Sequence, residues 1–565
     1  MTSTTGATTK EQSTMHVKVA IVGAGASGLM CAHKLLNNGS IKLEPSDLLV
    51  VEARNRLGGR IHTTLDSLPI ISNINDDDDT GIGNTTAASI NIYRDHGAAW
   101  VHGTGFRWPA FSSIPACNDR PINPMMELLQ QITATGESVC GTHLEPIFVH
   151  GNPWTRPGRV LHRTQNLALF VEGQCCKHDD EIITKALEFH NQIMIKVGTM
   201  GYNMSVKGDM KASTEMSFQQ ALDIILSLQN EKNPKVSLVA GFYRHLIECW
   251  HGTSASGLQL LEFSANIPDE TDDNNDANDI DDDSYDDEGD FFGPHCTLKQ
   301  GMLSVLKPLI QSSSSCVCLN DPVVSIRKQS VSAEKTICVE TGSGMVVEAD
   351  FCVVTVSLGC LANSVNSISG INFVPELSAE KQDAIQRMQM GCYKKVFLTF
   401  DRIFWPKEEY FIGLVRSCKD ENNDIGCYLL LGNLWASKGV PSIEAVLVGD
   451  AGLWATNKTD KVIRDAVLGF LSDAMGYNLS TELQPWCVNC HISRWEEDPY
   501  SLGAYSGYRL GTLAEHTEAL KSSEWENRLH FAGEATISGY EGSVHAALIS
   551  GDEVANTIAA HLATL

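Results

Sequence analysis

The run His16-Val-Lys-Val-Ala-Ile-Val22-Gly23-Ala-Gly25-Ala-Ser-Gly28-Leu-Met-Cys-Ala-His-Lys-Leu-Leu36 decides how this chain begins to fold. Its first residues alternate into an apolar strand, three glycines punctuate the turn, and a helical pattern runs from about Ala26 to Leu36. A second apolar strand, Leu48 to Val51, ends at Glu52. Strand, turn, helix and strand in such short order are the opening of a parallel βαβ unit. Gly23 allows the tight turn, Gly25 lets the backbone approach a pyrophosphate, and Gly28 permits close packing of helix on strand. Ala26 and Ser27 open the helix, whose free N–H groups and positive dipole end suit phosphate. Glu52 stands where a carboxylate accepts hydrogen bonds from ribose hydroxyls. A bound dinucleotide is therefore expected, and this motif alone does not choose between FAD and NAD.

Outward from that start, residues 66–91 are polar and read as an exposed loop insertion, after a tail, 1–15, expected to be disordered. Helical periodicity covers Glu181–Val197, Ser217–Leu228 and Val236–Trp250. An Asp-rich run, 269–290, breaks the chain and is expected to be disordered. A short helix near 300–311, β-rich sequence over 316–356, a helix over 378–390 and a strand over 393–401 follow. The last 75 residues hold one more strand, Leu529–Ala532, and a closing helix from about Gly542 to Leu562. The expected class is α/β, with a Rossmann-like discontinuous FAD-binding domain and an inserted α+β substrate-binding domain. The first is assigned 16–110, 295–365 and 490–565, and the second 111–268 and 366–489.

Composition narrows the function. The net charge is −27, and 13 acids in 269–290 plus four in 76–79 carry most of it. A nucleic-acid binder needs a basic face, so nucleic acid is not an expected partner. The first fifteen residues lack an apolar core for secretion, and no stretch nears the ~20 apolar residues that span a bilayer. Seventeen scattered cysteines suit reduced thiols in a cytoplasmic setting. Cys487-Val-Asn-Cys490-His491 fits a haem-attachment pattern by chance, inside a strand-like stretch, and Cys316-Val-Cys318 has no partner pair at zinc spacing. No metal is expected.

The residues after the second strand choose the cofactor. Glu52-Ala53-Arg54-Asn-Arg56-Leu-Gly58-Gly59-Arg60 closely resembles the extension of the flavin-containing amine oxidase superfamily. Asp95-His-Gly97-Ala98-Ala-Trp100-Val-His102-Gly103 is similar to a segment of polyamine oxidases within it. So are Phe373-Val-Pro375 through Phe404-Trp405-Pro406, and Ser493-Arg-Trp495. Gly503-Ala-Tyr505-Ser and Phe531-Ala-Gly533-Glu534, followed by Tyr540-Glu-Gly542-Ser543-Val544, complete the pattern. The resemblance implies FAD held by these segments, with Val323 beside them. Arg54 and Arg60 offer fixed forks for pyrophosphate charge. Monoamine oxidases attach flavin through a cysteine in the segment matching Gly503-Ala504-Tyr505; alanine there implies non-covalent FAD.

The resemblance also implies the chemistry: hydride passes from the carbon beside nitrogen to the flavin, O2 becomes H2O2, and the imine hydrolyses to aldehyde plus amine. The family's lysine matches Lys395. Alternation on a strand sends Lys394 and Lys395 to opposite faces; parity with Val396, Leu398 and Phe400 slightly favours Lys394 as inward, whereas the family pattern favours Lys395. Tyr505 and Tyr540 match paired aromatics that wall an apolar slot, and His102 occupies a position at the mouth of the catalytic tunnel. The expected partners are a small cationic amine and O2, with no membrane and no protein partner specified. Glu248 and Glu262 are possible tunnel acids with no spacing argument behind them. An L-amino acid oxidase, a histone lysine demethylase-like enzyme, and a flavin-binding protein that docks basic partners through its acidic run remain alternatives.

Overall fold

The computed structural model describes residues 14–69, 89–102, 123–134, 146–149, 167–176, 180–207, 210–229, 231–263, 295–329, 336–366, 370–417 and 425–564. The opening run folds as its pattern predicts: a strand, Thr14–Val22, a helix, Ala26–Leu36, and a second strand, Leu48–Val51. The strand starts two residues inside the expected tail. Thr14–Val22 lies at the centre of an eight-stranded sheet, parallel to Leu48–Val51 on one side and to Val346–Val354 on the other. Leu529–Phe531, from the far end of the chain, adds in parallel beside Val346–Val354. The register aligns Val22 with both Val51 and Val354, and Val354 with Phe531. Four carboxyl ends from distant parts of the sequence thus stop at one level, and the crevice beyond such ends is where open α/β sheets bind ligands.

Close packing explains two of the small residues. A Cβ on Gly28 would lie 2.0 Å from the Gly23 carbonyl oxygen, and one on Gly551 would lie 2.3 Å from that of Ser27. The first contact seats Ala26–Leu36 on its strand; the second seats Val544–Leu562 on Ala26–Leu36.

A seven-stranded, largely antiparallel sheet runs in the order Cys487–Ile492, Tyr393–Phe400, Ser442–Val448, Tyr428–Asn433, Phe411–Val415, Leu167–Val171, Gln174–Cys176. Helices Glu181–Lys207, Phe218–Ser227 and Pro234–His251 share an apolar core with one face, and Asp460–Met475 with the other. A sheet covered on both faces reads as continuous apolar sequence rather than alternation.

Some expectations change. Residues 370–388, expected in the inserted domain, sit on the first sheet: Asn372–Val374 pairs in parallel with Val323–Lys328, and Phe373, Ile385 and Met388 join its core. Residues 66–69 and 89–91, expected within a loop, belong to a paired ribbon of Thr63–Pro69 and Ser89–Asp95. Arg94 drives this, because its buried guanidinium needs the Asp66 carboxylate across the ribbon. The interior of that insertion and the Asp-rich run lie outside the described residues. Cys427 is disulfide-bonded, contrary to the expectation of reduced thiols, and thirteen other described cysteines are free. Among the described residues no helix is long and apolar enough to cross a membrane.

Candidate active site

One cavity of about 1070 Å³ opens at the aligned strand ends and runs toward the second sheet. Every catalytic and cofactor-binding residue expected from the sequence lines it except Gly28, whose place is the helix–strand contact; of the two possible tunnel acids, Glu262 lines it and Glu248 does not. At the glycine turn, Gly25 precedes the helix without any side-chain cap. Its first-turn N–H groups are left for a ligand at Gly25, Ala26 and Ser27. The Glu52 carboxylate accepts from Ala24 N at 2.8 Å and Arg54 N at 2.9 Å, which locks the turn against the second strand. A carboxylate has about four acceptor positions, so two remain for a ligand hydroxyl.

The arginines are less open than the sequence suggests. Arg54 donates to Asp498 at 2.6 Å and to Ser501 at 2.8 Å, and Arg60 Nη1 donates to Glu534 at 2.7 Å and to the Ala504 carbonyl at 3.1 Å. Each guanidinium is oriented and largely neutralised by a carboxylate rather than presented as a bare fork. Glu534 also accepts from Ser506 and, at 2.8 Å, from Gly542 N, so it ties three segments of the wall together. Burial alone would push its carboxyl up; Arg60 and the hydrogen bonds outweigh that and hold it below the usual range. Gly97 has a packing reason too, since a Cβ there would lie 1.7 Å from the Arg60 carbonyl oxygen and 3.2 Å from Trp495. Trp495 donates its indole N–H to the His96 carbonyl at 2.8 Å, and Trp100 stacks on Phe411 at 5.7 Å. Ser543 caps the closing helix, accepting from Ala546 N, and so aims that helix N-terminus at the cavity. Ala53, Gly59, Ala98, Val323, Gly533 and Val544 complete the wall expected from the sequence.

Burial does not separate the two lysines, because their strand is covered on both faces. Lys394 is fully buried and bonds to Glu496 at 3.0 Å, on the side packed against Asp460–Met475. Lys395 faces the cavity, donates to the Asp95 carbonyl at 3.0 Å and pairs with Glu444 at 3.1 Å. The parity argument for Lys394 fails for this reason.

Tyr505 anchors its hydroxyl on the Cys249 and Trp250 carbonyls and packs its ring on Tyr393 at 5.8 Å. Tyr540 instead packs edge-on against His545 at 5.1 Å. The two expected aromatics thus line the same space with different neighbours. His102 lies 3.1 Å from His295, Nδ1 to Nδ1, and edge-on to Trp250. Burial, and then the neighbouring histidines, push it well below its ordinary pKa, so it is neutral and can exchange hydrogen bonds without adding positive charge. Burial also pushes the cavity histidines His96 and His545 down to about 4, and His251 to about 3.

Two carboxyls line the cavity that the sequence pattern does not assign to the site. Glu262 bonds Gln259 at 3.0 Å, and burial raises its pKa. Burial raises Glu541 to about 7, with Glu262 contributing the same way, although Gly539 N donates to it. Glu541 sits inside the quoted Tyr540-Glu-Gly542 segment, so its signal was position in that motif. Tyr393 was also missed; its parity with Lys395 would have found it. Glu248 is elsewhere, bonded to His245 and Ala255 N at the end of its helix.

Comparison with known proteins agrees with this geometry. A model of the flavin containing amine oxidoreductase family matches residues 281–559, and one of the NAD(P)-binding Rossmann-like domain matches 21–111. Polyamine oxidase 5 of Oryza sativa subsp. japonica is 27% identical over 554 residues, covering 97% of this chain and 88% of the relative. A possible lysine-specific histone demethylase 1 of Drosophila melanogaster is 25% identical, covering 96% of this chain and 63% of the relative. A solved structure of putrescine oxidase bound to putrescine superposes with a TM-score of 0.60 at 16% identity, covering 97% of this chain and all of that one. Residues 281–559 belong to the flavin containing amine oxidoreductase family, and the chain is an FAD-dependent oxidoreductase acting on amine donors.

Proposed function

We propose that this chain oxidises polyamines (spermine, spermidine or their acetylated forms), with non-covalent FAD and with O2 as acceptor. The residues fit the cofactor. A Cβ on Gly533 would meet nothing within 4 Å and one on Gly25 only Gly59 at 3.9 Å, so both backbones border open space. Ala504, in the segment where a flavin-linking cysteine would stand, offers no nucleophile and lines the cavity. Bound FAD would supply the hydride acceptor and, with O2, the route to H2O2.

The observation that carries the substrate reading is the cavity's sign. Beyond the dinucleotide end it combines Lys395, the rings of Tyr393, Tyr505 and Tyr540, neutral histidines, and the acids Glu262 and Glu541. Aromatic faces and carboxylates both attract ammonium groups. An arriving cation draws the proton from a carboxyl whose burial had kept it neutral, and the aromatic walls exclude water from the carbon that is oxidised. Neutral His102 can accept a hydrogen bond from an amine at the tunnel mouth. Lys395 holds a solvent molecule toward the cofactor in this reading. Its carbonyl and carboxylate partners fix where the ammonium points.

Peroxide release from the FAD-loaded protein across spermine, spermidine, acetylpolyamines, monoamines and amino acids tests the proposal. Turnover highest with polyamines supports it. Preference for a monoamine or an amino acid defeats it. Acid precipitation should release all of the flavin into the supernatant.

A further inference from the structure

Lys395 does not reach its place unaided. Its strand pairs antiparallel with Ser442–Val448, where Phe397 faces Glu444 and Lys395 faces Val446. Glu444 is therefore the diagonal neighbour of Lys395 on the same face, within reach of a long side chain. The ammonium meets its carboxylate at 3.1 Å, with the lysine side chain 6% exposed and the glutamate 14%. Gly432, opposite Glu444 on the next strand, leaves room beside its stem. Behind the pair, Lys438 bonds the Asp95 carboxylate at 3.0 Å, and the Asp95 carbonyl is the second acceptor for Lys395. A small separate cavity of about 40 Å³ lies among Asp95, Lys438, Glu444 and Tyr393, enough for ordered water. On the other side, His96 lines the main cavity as a neutral ring.

We propose that Glu444 is the positioning residue for Lys395, holding its ammonium aimed into the main cavity. The inference rests on the reading that Lys395 faces the flavin, and it extends that reading to a residue that borders a different cavity. Without the carboxylate, Lys395 keeps one neutral carbonyl as partner. One carbonyl does not fix the direction of a long, flexible lysine stem as two acceptors on different strands do. Lys438 cannot substitute for the lost anion, since it is itself a cation spent on Asp95.

The test reads Lys395 in the apoprotein, by acetic anhydride labelling across pH 6–10 and peptide mass spectrometry. Glu444→Gln keeps the shape and removes the charge; its Lys395 should acetylate roughly tenfold faster near pH 8, because the amine is no longer held by the carboxylate. Glu444→Asp should label like wild type. Equal labelling in wild type and Glu444→Gln overturns the proposal. If Glu444→Gln does not fold, Lys395→Met/Glu444→Gln decides: recovery of folding shows that the stranded lysine was the fault, and failure shows a role independent of Lys395. FAD retention is scored separately, so colourless wild-type protein would sink the underlying reading without bearing on the ion pair.

Discussion

A carboxyl lifted to about 7 at Glu541 makes a quantitative demand on ligand binding. Lowering the pH from 8 to 6 takes such a group from about nine-tenths ionised to about one-tenth. A cation that binds only the ionised form should then lose about tenfold in affinity, or ~1.4 kcal/mol. A carboxyl at the ordinary value of 4.5 would leave binding flat over that window. The lining histidines do not confuse the reading, because His96, His251 and His545 are held at about 4 or below. Nor should the ligand titrate. A long-chain alkyl diguanidinium keeps its charge throughout, which a polyamine near pKa ~10 approaches less well. The assay is its inhibition constant against peroxide release at pH 6, 7 and 8, for wild type and Glu541→Gln. Wild type should weaken about tenfold toward pH 6, and Glu541→Gln should lose most of that slope, leaving only what Glu262 contributes. A flat wild-type profile, or an undiminished slope in Glu541→Gln, would refute the assignment.

The two lysines should separate by phenotype. Lys395→Met should fold, stay yellow and react with O2 orders of magnitude more slowly, whereas Lys394→Met should strand Glu496 and cost about 3–5 kcal/mol in urea unfolding. Reversal of those outcomes would exchange their roles. Gly97→Ala drives a methyl into the Arg60 carbonyl; a loss of about 3 kcal/mol or more, with weakened FAD binding by fluorescence titration, is expected. Glu52→Ala leaves Ala24 N and Arg54 N without their acceptor, costing about 1–3 kcal/mol for each, and an unchanged melting temperature would contradict that account. Glu541 also sets an apoprotein trend. Its folded pKa lies above the unfolded value, so the stability it contributes is present at low pH and lost as pH rises through about 7; Glu541→Gln should melt higher than wild type at pH 8, with the gap closing by pH 4.

Local sequence determined the start of this protein almost to the residue. Strand propensity, three glycines at turn spacing and a helical period are short-range properties, and Ala26–Leu36 and Leu48–Val51 fold where they predict. Motif position located the cavity wall from residue 23 to residue 544, because each segment carries its own local signature. Longer-range choices were not legible. Period-two alternation could not choose between Lys394 and Lys395, since helices cover both faces of their sheet and both side chains are buried. Asn372–Val374 is too short to declare its sheet, and only the free edge beside Val323–Lys328 decides it. The acids follow the same logic. Glu248 and Glu262 are alike in sequence, yet the turn after His251 folds Glu248 onto Ala255 N and leaves Glu262 at the cavity. Burial, and therefore charge state, belongs to the packed chain: no pattern in the sequence could say that Glu541 would hold its proton near neutrality, or that Glu444 would meet Lys395 across two strands.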